Sequence, residues 1–263
     1  MRAVMKTIHL AIKEQLTYRL AMINGAMTNL AWGLYRYYIM LAIYGRTGML
    51  NGVSESAALT YVPLTQALLA YLNVFGSTQI SQTIYSGQIG MQLLKPQGFY
   101  RHWLGYFFGK SLVNFFLRGV LLFLFWMLFF PITTPQSVGQ WLVFVISILA
   151  SWFVSHLWII TVNLSAIWSK DATGILRLIF ALQQLLAGMI FPVRLFPAWF
   201  QTICYLTPFP SMLNTSIEVF SGVLTGWDAW KMIAQQIGWG VVIFAVGRFV
   251  LYMGLRKLTL EGG

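Results

Sequence analysis

Few side chains in this 263-residue sequence can do chemistry, and their spacing does not combine them. The six carboxylates are Glu14, Glu55, Asp171, Glu218, Asp228 and Glu261, and the one cysteine is Cys204. No two carboxylates form an acid–base pair, and neither a His/Cys metal set nor a Ser/His/Asp arrangement is present. The run Gly105-Tyr-Phe-Phe-Gly109-Lys110-Ser111 approaches a phosphate-binding loop. It is one residue short of that pattern, no strand precedes it, and bulky aromatics replace the flexible cradle. The chain is therefore expected to be non-enzymatic, with no cofactor and no metal of its own.

The elements that would carry these residues are mostly apolar. Hydrophobic residues make up 58% of the sequence and charged ones only 9%, against about 25% charged in a soluble domain. Such a chain cannot both close a core and wet its surface, so it is expected to be an all-α integral membrane protein forming a single domain over 1–263. Spanning a ~30 Å hydrocarbon core takes about 20 apolar residues. Stretches 21–44, 58–76, 104–130, 140–163, 174–191 and 230–254 read as six transmembrane helices. No polar stretch approaches the ~50 residues of a soluble domain, and Lys13, Glu14 and Arg19 interrupt any signal-peptide core.

Basic residues alternate between the gaps. Arg2, Lys6, Lys13 and Arg19 precede the first span; Lys95, Arg101 and Lys110 lie between the second and third. Lys170 and Arg177 follow the fourth, and Arg256 and Lys257 follow the sixth. The remaining gaps hold only Arg46, none in 131–139, and Arg194 with Lys231. Positive charge stays inside during insertion, so both termini are expected in the cytoplasm. The formal charge of +11 is thereby assigned to anionic headgroups rather than to nucleic acid.

Residues 1–20 read as an amphipathic interfacial helix, with Arg2, Lys6, His9 and Lys13 on one face and Val4, Ile8, Ile12 and Leu16 on another. Arg36 lies ~25 Å along a helix from Arg19, where snorkelling and a pathway or pairing role both stay open. Arg36, Tyr37 and Arg118 are candidates for the pathway; Arg118 has the alternative of pairing with carbonyls in the bundle. Thr60, Thr65, Gln66 and Asn73 punctuate the second span, as helix-packing groups or as the lining of a wet cavity, with packing preferred. Ser147, Ser151 and Ser155 form a small-residue stripe for close approach of another helix, beside the lone His156. Segment 192–229 holds Pro192, Pro197, Pro208 and Pro210 between apolar pieces too short to cross, as expected of outer re-entrant helices. No carboxylate falls at mid-bilayer by these spans, which disfavours proton or sodium coupling.

The gap after the second span reads Ile80-Ser81-Gln-Thr-Ile84-Tyr85-Ser86-Gly87-Gln-Ile89, then Leu93-Leu94-Lys95-Pro96. This closely resembles the permease subunits of type-2 ABC exporters, in the subgroup with separate six-span permease chains. The likeness continues through Arg118-Gly119, Pro192…Phe196-Pro197-x-Trp199…Leu206-x-Pro208-Phe209 and Arg256-x-Leu258…Gly262-Gly263. Glu261 stands where Gln is commoner, and 211–220 lacks a proline that the family often has. The resemblance implies a second permease, identical or related, and two ABC ATPase subunits that bind the ATP and Mg in a bacterial plasma membrane. It also implies that 80–94 is a coupling helix in an ATPase groove, with Lys170-Asp171 a further contact. From the residues alone, 80–94 is a short cytoplasmic helix with Ile80, Ile84, Leu93 and Leu94 as apolar anchors, a turn permitted at Gly87 and an end at Pro96. The expected function is ATP-driven export by alternating access. The alternatives are an ATPase-independent carrier or channel, and a non-transporting scaffold that binds an ATPase.

Overall fold

The computed structural model describes residues 2–45, 48–73, 75–169 and 172–256. Arg46, Lys170, Asp171, Lys257, Leu258, Glu261, Gly262 and Gly263, given charge or family roles above, lie outside the described residues.

Twelve α-helices are present among those residues: α1 Arg2–Thr17, α2 Arg19–Tyr44, α3 Glu55–Leu68, α4 Gln79–Tyr85, α5 Ile89–Leu93, α6 Phe99–Asn114, α7 Leu121–Phe129, α8 Val138–Asn163, α9 Thr173–Leu186, α10 Ala198–Tyr205, α11 Asn214–Phe220 and α12 Gly226–Leu255. A π-helical stretch, Phe115–Val120, joins α6 to α7, so Phe99–Phe129 runs as one rod. By length and composition three helices can cross a bilayer: Phe99–Phe129, Val138–Ile167 and Gly226–Leu255. At 26 residues α2 is long enough but more polar. The 14-residue α3 and α9 extend only ~21 Å each, so the expected spans 58–76 and 174–191 are shorter than the sequence suggested. The cause lies at their ends: α3 gives way to turns with Asn73 at φ +51° and Gly76 at +75°, and Gly188 at φ +78° follows α9.

A two-residue hairpin, Met49–Leu50 against Val53–Ser54, departs from an all-α fold. Asn51 and Gly52 both have positive φ (49° and 75°), as a tight primed turn requires. Ser54 then caps α3, accepting from the Ala57 N–H at 3.3 Å.

Residues of α3, α4, α6, α8, α9 and α12, together with 209–224, form the larger core cluster; α2, other residues of α3 and Trp126 form the smaller. The run that mimicked a phosphate loop is instead the seat of α1. A Cβ on Gly109 would stand 2.5 Å from the Ile8 carbonyl oxygen, and one on Gly105 3.2 Å from Val4. Small residues one turn apart let two helices approach this closely. Contacts from Val4–Gly105 to Gln15–Asn114 run α1 in parallel along α6 to its last residue.

The serine stripe of α8 is filled by this chain itself. Ser147 and Ser151 lie 3.0 and 2.8 Å from Ser216 Oγ. Gln236 Nε2 donates to Ser151 Oγ (2.9 Å) and to the Ser211 carbonyl (3.1 Å), while Gln236 Oε1 accepts from Ser147 (3.0 Å). The Phe220 carbonyl meets Gln140 near the start of α8, whereas the Met212 carbonyl meets Ser155 more than half-way down. Segment 192–224 therefore descends along α8 and climbs back.

Glu218 rides on that segment, between the levels of Ser147 and Gln140, with its side chain 2% exposed. Its Oε1 accepts from Arg194 Nε at 3.1 Å. Glu218 thus lies beside the first turns of α8 rather than at its middle, and α11 carries it inward together with the cation of Arg194.

Candidate functional site

The end of the bundle that holds α1, the start of α6 and the end of α8 also holds α4 and α5. The expected single helix over 80–94 is two helices, broken at Ser86-Gly87-Gln88 with Gly87 at φ +71°. Glycine is the residue that enters this region without steric cost, and no atom stands within 4 Å of a Cβ built on Gly87. The break lets one side of both short helices face the core. Ile80, Ser81, Ile84 and Ile89 are buried there, and Leu93 is half-buried. Tyr85, Ser86, Gly87, Gln88, Met91 and Leu94 are exposed, Leu94 by 86%. The exposed face carries no charge.

Two anchors fix this pair of helices. Asn163, at the last turn of α8, accepts from the Ser81 N–H at 3.1 Å and donates to the Ser77 carbonyl at 2.6 Å. It also donates to the Ile159 carbonyl of its own helix at 2.8 Å. The Tyr85 hydroxyl accepts from the Ala172 N–H. Asn163 thus ties the start of α4 and the loop before it to the last turn of α8, beside the packing of Ile80 and Ile84 in the same core cluster as Ile160 and Leu164. Sequence reasoning did not single out Asn163; the available signal was a lone amide closing an otherwise apolar run. A groove of about 500 Å³ separates α1 from α4 and α5, lined by Thr7, Leu10, Gln82, Ser86, Gln88 and Gln92 among others.

The three residues considered for a pathway lie elsewhere, between α2, α3 and α7. Arg36 is buried and does not snorkel. The Gln66 amide, its oxygen toward Arg36, accepts from Nη1 at 3.0 Å and donates to the Asn29 carbonyl at 3.2 Å. Asn29 returns the bond, donating to the Gln66 carbonyl at 3.2 Å. Arg36 Nε and Nη2 have no hydrogen-bond partner among the described residues. Tyr37 packs its ring against Phe130 and Trp126, with centroids 4.7 and 5.7 Å away. Arg118 Nη2 donates to the Gly25 carbonyl at 2.8 Å, the carbonyl pairing left open above. A Cβ on the adjacent Gly119 would stand 2.7 Å from the Ala67 carbonyl oxygen, so the π-helical stretch presses directly on α3. The three do not meet the α4–α5 face, and two of them clamp α2 onto its neighbours.

His156 is likewise built in. Nδ1 lies 2.8 Å from the Trp152 carbonyl and the imidazole stacks on the Trp152 ring at 4.4 Å. Among the described residues no group of His, Cys, Asp and Glu could hold a metal.

Comparison with known proteins adds one finding. Residues 30–262 match the family described as ABC-2 family transporter protein. No curated protein matches the chain.

Proposed function

This chain belongs to the ABC-2 transporter family, and on that premise we propose that it is the permease of an ATP-driven exporter, pairing with a second permease and two separate ATPase subunits. Membership carries the coarser statement: a multi-pass transmembrane transporter subunit, of a kind generally without catalysis of its own. In the finer reading α2, α3, Phe99–Phe129, α8, α9 and α12 make six crossings, with α1 at the inner headgroup layer and 192–224 re-entering from outside. The α4–α5 face lies in the cytoplasm and seats in an ATPase groove, while the partner ATPase binds ATP and Mg. The permease supplies two conformations of different substrate affinity, and hydrolysis moves the pair between them.

The observation that carries this is the uncharged, exposed edge of α4–α5 held from behind by Asn163 and Tyr85. A helix face offered to a groove is a common recognition mode, and the firm backing lets a push on it reach α8. Because Ile84 is buried, Ile84→Asp would test folding rather than docking. Leu94→Asp, with Met91→Asp as a second variant, alters the outer face alone. Both variants should fold normally and lose ATPase in co-purification. Wild-type ATPase stoichiometry for both would refute the docking role.

A further inference from the structure

Behind α4, at the same end of the bundle, lies a second cavity of about 500 Å³, lined by residues of α1, α6, α8, α9 and the loop after α3. That volume suits a drug-sized ligand, for which sites run roughly 300–1,000 Å³. Its walls are of two kinds. Phe75, Phe107 and Phe180 supply aromatic surface, while Lys110 and Arg177 supply positive charge. Among the described residues no carboxylate lines it. Lys110 is partly offset by Glu14, 3.2 Å away, whereas Arg177 is exposed and forms no ion pair among the described residues.

The amides and hydroxyls of the walls are largely committed to the fold. Gln15 Nε2 donates to Asn114 Oδ1 at 3.1 Å, Ser111 to the Tyr71 carbonyl at 3.0 Å, and Gln79 to the Tyr106 hydroxyl at 3.2 Å. They shape the cavity, and the two cations remain to recognise what enters. One wall, residues 75–79, runs straight into α4 and includes Ser77, whose carbonyl Asn163 holds. An occupant would therefore touch the same loop from which the α4–α5 face hangs.

We propose that this cavity binds an amphipathic organic anion, its acidic head held by Lys110 and Arg177 and its apolar body against Phe75, Phe107 and Phe180. Two cations without a lining carboxylate select the charge, and the aromatic wall selects a partly apolar body. As a statement of substrate class the inference rests on the exporter reading; as a binding site it stands on the cavity alone.

The test uses the full chain in phosphatidylcholine nanodiscs. Three probes share a naphthalene body and differ in head: sulfonate, hydroxyl and trimethylammonium. Calorimetric titration should show the sulfonate binding at least about tenfold tighter than the other two, the scale of one hydrogen bond to a charged group. Arg177→Gln should weaken sulfonate binding about tenfold, while Lys231→Gln, which alters a cation paired with Asp228 outside the cavity, should not. Equal binding of all three probes, or an unchanged affinity in a normally folded Arg177→Gln protein, would overturn the assignment. Repeating the titration with phosphatidylglycerol in the disc separates two sources of the same chemistry. Competition identifies an anionic lipid as the occupant, and none identifies a soluble amphiphile; both support the site. Adding the sulfonate probe to the assembled permease–ATPase complex distinguishes the two readings. Binding without any change in ATP hydrolysis would count against the exporter reading and leave the site in place.

Discussion

Both 79–93 and 209–220 are strings of short helices broken by turns, yet the bundle treats them in opposite ways. The later string is enclosed: Asn214, Thr215, Ser216, Ile217, Glu218 and Val219 are all buried, and its polar groups bond to α3, α8, α12 and Arg194, whereas the preceding α10 leaves Trp199 and Ile203 exposed. The earlier string is anchored on one side only, with Ile80, Ile84 and Ile89 inward and Ser86, Met91 and Leu94 outward. A segment satisfied on every side serves the fold of its own chain. One satisfied on a single side keeps a surface for another chain. Short helices with apolar residues are thus no guide to role until their second face is seen.

The comparison can be broken at either string. Arg194→Ala should have the largest effect, because it leaves Glu218 buried without its cation. Removing one partner of a buried pair costs about 3–5 kcal/mol, taken at the low end here since Arg194 is partly exposed. Unfolding followed in detergent should show this, with ATPase binding per folded chain unchanged. A loss under about 1 kcal/mol would mean that the pair behaves as a surface bridge.

Asn163→Leu should cost about 1–3 kcal/mol through the unpaired Ser81 N–H and Ser77 carbonyl. Its informative readout is the assembled complex: the ATPase should still bind, while hydrolysis no longer responds to substrate. Retained coupling would show that α4 and α8 communicate by another route. Arg36→Met sharpens the contrast from within the bundle. Replacing a buried, incompletely paired cation by an apolar side chain of similar length is often neutral or stabilising, by about 1 kcal/mol or more. A stable variant that has lost export would make Arg36 a pathway residue, and a stable one that exports normally would make it structural. Leu94→Asp should change stability least, within about 0.5 kcal/mol, while losing the ATPase in pull-down. Any marked destabilisation would place Leu94 in the core.

Much of this was legible beforehand, for reasons that differ by residue. The long apolar runs over Phe99–Phe129, Val138–Ile167 and Gly226–Leu255 announced their helices by composition alone. The Ile80-to-Pro96 run pointed to the family that residues 30–262 match. Gly87 was read as a turn and is one, but the division of 80–94 into two helices was missed because its apolar residues fit either arrangement. The prolines after 191 announced broken helices. Nothing local in Glu218 said that it would be carried inward, since that depends on Arg194 24 residues earlier in the chain. Asn163 and Gln236 went unnoticed for the same reason: an amide in an apolar run has many outlets, and only the packed neighbours select one.

Composition and pattern alone determined that this chain is a multi-pass membrane protein with long apolar helices. Those properties sum over residues and need no partners. Tertiary structure decided which polar groups are spent within the bundle and which stay available, because a hydrogen bond or an ion pair requires two groups brought together from distant points of the chain. On that account Arg118 and the serines of α8 are spent on neighbouring segments, while the edge of α4–α5 is left facing outward.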